Sequence, residues 1–132
     1  MDAATRELVR ERASGRCEYC GLPQSAVPFF TFHIEHIRAR QHQGGDDPLN
    51  LALACPDCNA KKGPNVATVS PDSGHLVELF SPRLHRWEDH FTAIGPEIVG
   101  TTEIGRATVQ LLDMNEEERV VLRAQLHAEG SH

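Results

Sequence analysis

Two Cys-x-x-Cys pairs, Cys17/Cys20 and Cys55/Cys58, stand 34 residues apart and constrain this 132-residue chain more than any other feature. A Cys-x-x-Cys turn sets two sulfurs on one side of a metal. Four thiolates suit a closed tetrahedral Zn²⁺ site with no position open to water. Aromatic residues make up 5% of the chain, so a large aromatic core is not expected and a metal staple is physically sensible. The competing readings are a disulfide framework and a redox or metal-storage thiol protein. The N-terminus is polar and helical in pattern, without a signal-peptide apolar core, and no apolar run is long enough to span a membrane. The expected compartment is therefore the reducing cytoplasm, where paired Cys-x-x-Cys units are metal ligands rather than disulfides.

The net charge of −6 argues weakly against nucleic acid as a partner. Its distribution softens that. Residues 1–66 hold eight Lys and Arg against eight Asp and Glu, and residues 67–132 hold five against eleven. The cysteine module is near neutral and the acidity belongs to the C-terminal half. The expected division is a core over residues 1–66, with an N-terminal helix and two knuckles, and an extension over residues 67–132 packed on it.

Residues 3–14 are expected to form a charged amphipathic helix, stopped by Gly15. Phe29–Ile37, rich in β-branched and aromatic residues, reads as a strand. Gln43-Gly44-Gly45-Asp46-Asp47-Pro48 is a loop, and Leu49–Ala54 returns as a second strand. Pro56 starts a helix that Gly63-Pro64 ends. Pro71-Asp72-Ser73-Gly74 joins two short strands into a hairpin. Trp87–Ile94 reads as extended, and residues 103–112 and 116–128 as helices, the last capped by Asn115 with Glu118 at the capping-box position. The fold class is α+β.

The insert between the knuckles carries unusual polar residues. Glu35-His36 ends the first strand, Asn50 follows fourteen residues after His36, and Asn59 nine residues later, in Cys58-Asn59-x-x-Lys62-Gly63. From Arg16 to Gly63, with Gly44-Gly45 and Asn50-Leu51, about ten positions agree in order and spacing with the HNH endonuclease family. The stretch resembles a variant with Asn in place of the third-motif His and with a four-cysteine zinc site.

That resemblance implies a small zinc-stapled ββα-metal core with a C-terminal β-hairpin and helices, and hydrolysis of DNA phosphodiesters to 5′-phosphate and 3′-hydroxyl ends. It implies His36 as general base on water, Asn50 as the residue that orients the His36 ring, and Glu35 with Asn59 as ligands of one catalytic ion. The residue chemistry agrees. A neutral imidazole takes a proton near pH 7, and a carboxylate with a carboxamide makes a hard oxygen shell suited to Mg²⁺ or Mn²⁺. Glu35 stands where the family often has Asp, and its longer arm shifts where the ion would sit.

His33, Arg38, Arg40, Lys61 and Lys62 are expected to contact phosphates of a DNA partner, most simply double-stranded. For each singly, a solvated charged face is the bland alternative. Trp87, Phe80 and Phe91 read as core of the C-terminal half, which carries no chemical motif. The rival function is a non-catalytic zinc module that binds DNA or a protein. It has no need of the Glu35/Asn59 pair beside His36.

Overall fold

Helix α2 (Pro56–Lys62) shows how local chemistry builds the module. Cys55 is its N-cap, with Sγ accepting the Cys58 N–H, Pro56 occupies the first turn, and Gly63 ends it at φ +52° and ψ −139°. A side chain at Gly63 would be strained in that conformation. In this computed structural model, which describes residues 1–130, the chain divides into two compact units, Met1–Val66 and Ala67–His132.

The first unit also contains α1 (Ala3–Arg12), β1 (His33–His36) and β2 (Leu51–Ala54). Strands β1 and β2 pair antiparallel, with His33 opposite Ala54, Glu35 opposite Ala52 and His36 opposite Leu51. All four residues of β2 are buried. On its free edge Leu53 accepts the Glu18 N–H at 2.8 Å, and Arg12 of α1 donates to the Leu51 carbonyl at 2.8 Å. Val9, Tyr19, Phe32, Leu51 and Leu53 fill the core. The first strand is shorter than its composition suggests. Phe29 and Phe30 lie in a turn closed by a Phe30 N–H to Val27 carbonyl bond, and both are exposed. Pro28 favours that turn over an extended chain.

The second unit is built from β3 (Ala67–Val69), β4 (Leu76–Glu78), α3 (Trp87–His90), β5 (Phe91–Ile94), β6 (Glu97–Gly100), α4 (Glu103–Leu111) and α5 (Glu117–Glu129). The hairpin β3–β4 forms as expected around Ser70–Gly74. The segment read as extended over 87–94 is instead one helical turn followed by a strand, which pairs with β6 in a second hairpin. Asn115 does not cap α5. Glu116 does, while Asn115 bonds both the N–H and the carbonyl of Ile98, at 2.9 and 2.8 Å. Two backbone groups of a buried strand residue outcompete one helix donor for the same amide. Phe80 and Phe91 are buried in edge-to-face contact, and Trp87 stacks on Phe91. No helix among the described residues is long and apolar enough to cross a membrane.

Thr108 ties this unit together. Its hydroxyl accepts the buried Phe80 N–H at 2.9 Å and donates to the Ile104 carbonyl at 2.8 Å. Thr108→Val strands that N–H, and chemical denaturation should show a loss of about 1–3 kcal/mol for the second unit. An unchanged midpoint would contradict this role.

Candidate functional site

The two knuckles meet. The sulfurs of Cys17, Cys20, Cys55 and Cys58 all lie within 4.8 Å of one another, and all four residues are buried. Cys20 and Cys55 sulfurs are 3.8 Å apart. That separation is far too long for a disulfide. It matches the edge of a tetrahedron with metal–sulfur bonds of about 2.3 Å. Backbone N–H groups of Cys20 and Cys58 point at the sulfurs of Cys17 and Cys55, at 3.5 and 3.4 Å, and favour the thiolate form. Burial opposes them at Cys17 and pushes its thiol well up, while the bond from Cys17 holds the Cys55 thiol down. A divalent cation resolves that conflict, so the donor set fits zinc. Zinc uptake should then release protons and weaken as pH falls.

The ion would hold the β2–α2 junction to the N-terminal knuckle. One zinc per chain is expected in purified protein, and Cys58→Ser should lose both the metal and the cooperative unfolding of the first unit. A Cys58→Ser protein with parental zinc content would contradict the assignment.

Beside the cluster, on the neighbouring face of α2, lies a cleft of about 430 Å³ lined by His33, Ile34, Glu35, His36, Ala39, Arg40, Gln41, Asn59, Gly63 and Pro64. Glu35, His36 and Asn59 thus share one concavity. The strand alternates at Glu35 and His36, yet it ends there, so both reach the cleft wall. The Asn59 side chain makes no hydrogen bond to another described residue. Glu35 is 7% exposed. Burial raises its carboxyl above the ordinary range, against the pull of the Lys62 ammonium. Lys62 Nζ stands 3.1 Å from Glu35 Oε1, and Lys62 and the Tyr19 hydroxyl both favour the charged carboxylate, yet neither oxygen meets a donor in good alignment. Two buried oxygens without an aligned donor, in the same cleft as the Asn59 carboxamide, fit a hard divalent cation.

Two expectations are corrected here. Lys62 is 1% exposed, with its ammonium bonded to the Ile37 carbonyl at 2.9 Å and paired with Glu35. It braces the strand end and is not presented to a phosphate. Asn50 does not reach the His36 ring. Its oxygen accepts the Arg38 N–H at 2.9 Å, and its amide donates to the Arg38 and Gly45 carbonyls at 3.0 and 2.9 Å. It fastens the loop instead. His33 and Arg40 line the cleft, while Arg38 and Lys61 are exposed.

The partner of His36 is Asp46, with Oδ1 2.7 Å from Nε2. Arg40 Nη2 reaches the same oxygen at 3.0 Å. The bond from His36, then the charge on Arg40, holds the Asp46 carboxyl below its usual range. In the sequence Asp46 looks like a turn residue after Gly44 and Gly45; Asp47 carries a capping signal because Pro48 follows it, but nothing local points Asp46 at the His36 ring.

Residues 17–65 match the family model for HNH endonuclease. The four-cysteine cluster within that span fits a zinc-binding variant. No curated protein and no solved structure matches the chain.

Proposed function

Taking residues 17–65 as an HNH endonuclease domain, we propose that this chain is a cytoplasmic, metal-dependent nuclease that hydrolyses phosphodiester bonds of double-stranded DNA. The observation that carries the reading is the single cleft walled by Glu35, His36 and Asn59.

His36 acts as the general base. Its Nε2 is engaged by Asp46, so Nδ1 takes the proton from a water molecule. The oxygen of that water attacks phosphorus, the bond from phosphorus to the 3′ oxygen breaks, and that oxygen takes a proton from solvent, so the ends carry a 5′-phosphate and a 3′-hydroxyl. Mg²⁺ or Mn²⁺ bound through Glu35 and Asn59 would supply Lewis acidity at the scissile phosphate and the departing oxygen. Lys62 keeps Glu35 in place from below. His33 and Arg40 at the cleft, with Arg38 and Lys61 outside it, steady the phosphates on either side.

Supercoiled plasmid incubated with the protein should be nicked in Mg²⁺ or Mn²⁺ and spared without them. His36→Ala should lower the rate by about 10²-fold or more, with zinc content and thermal unfolding as in the parent. A His36→Ala protein that nicks at the parental rate would sink the catalytic assignment. A parent that nicks nothing would favour a passive zinc module.

A further inference from the structure

The loop after β1 is built to deliver one carboxylate. Asn50 clamps it from below through Arg38 and Gly45. Gly44 lets the backbone fold tightly, because a Cβ there would lie 1.6 Å from the Arg38 carbonyl oxygen. Gln43 adopts φ +69° in the same turn, a conformation that non-glycine residues seldom hold. The residue immediately after this clamp is Asp46, and its Oδ1 stands 2.7 Å from His36 Nε2.

Resting on the nuclease reading above, we infer that Asp46 is the positioning residue for His36. Its carboxylate accepts the Nε2–H and so leaves Nδ1 as the nitrogen that receives the proton. The same carboxylate stabilises the imidazolium that forms when Nδ1 takes that proton from water. Arg40 fixes the geometry further, because its Nη2 donates to the oxygen that faces the ring. Asn50 and Gly44 act at one remove, through the position of the loop.

Two other roles for Asp46 fit less well. It is not among the residues that wall the cleft with Glu35 and Asn59, and its Oδ1 is already taken up by His36 and Arg40. As an exposed ion pair with Arg40 and, at 3.6 Å, with the Met1 ammonium it would contribute little. Its bond to a ring 19% exposed is short and in the charge-assisted range.

The test uses the full chain, loaded with zinc, as parent, Asp46→Ala and Asp46→Asn. Asp46 is exposed, so both variants should retain parental zinc content and unfolding temperature. In Asp46→Asn, Arg40 keeps the carboxamide oxygen turned towards His36, so the bond survives without its charge. The expected order of plasmid-nicking kcat is parent, then Asp46→Asn, then Asp46→Ala, the last reduced on the order of 10-fold or more, with KM unmoved. Proton NMR of protein with ¹⁵N-labelled histidine should show a downfield, slowly exchanging Nε2–H signal, assigned by its absence in His36→Ala. It should persist in Asp46→Asn and vanish in Asp46→Ala. An Asp46→Ala protein that keeps the parental kcat, or keeps that signal, overturns the positioning role while the nuclease reading stands. A parent that nicks no plasmid overturns both.

Discussion

Four sulfurs within reach of one ion organise the first unit. Cys55 is at once a member of that cluster, the last turn out of β2 and the N-cap of α2. A metal held there locks the direction in which α2 leaves the hairpin. That direction decides which face of α2 meets β1. Cys58 turns towards the sulfurs and Asn59, about 100° further around the helix, lines the cleft with Glu35 and His36. A module with so few buried large side chains has little else to fix this angle.

The second constraint is electrostatic. A carboxylate at the buried end of β1 needs positive charge, and Lys62, one turn beyond Cys58, supplies part of it. The pair leaves both Glu35 oxygens without an aligned donor. Burying a charge so incompletely compensated is costly. Such a cost is characteristic of sites that wait for a cation or a substrate.

Much of this was legible in the sequence because it depends on spacing. The two cysteine pairs, the Pro56 start and Gly63 stop of α2, and the Ser70–Gly74 hairpin each follow from residues close together in the chain. The α+β character followed from them too. What could not be read were contacts that depend on how a loop folds back. Asp47, followed by Pro48, could be read as the cap of the short turn at Pro48–Asn50, but nothing in the sequence shows that Asp46 reaches the His36 ring. Asn50 carries a carboxamide suited to a ring nitrogen, but three loop backbone groups are nearer. Lys62 looks like a surface cation until β1 packs over it. In the second unit, Asn115 was drawn from its helix to the Ile98 backbone by a strand that periodicity did not reveal.

The four sulfurs make one metal site, and the proposed function adds a second ion on the oxygens of the neighbouring cleft. Manganese binding read by electron paramagnetic resonance on zinc-loaded protein addresses this directly. One Mn²⁺ should bind per chain without displacing zinc, and Asn59→Ala should weaken that binding while leaving the zinc in place. Manganese uptake that Asn59→Ala does not change, or that expels the zinc, would contradict a separate oxygen site in this cleft.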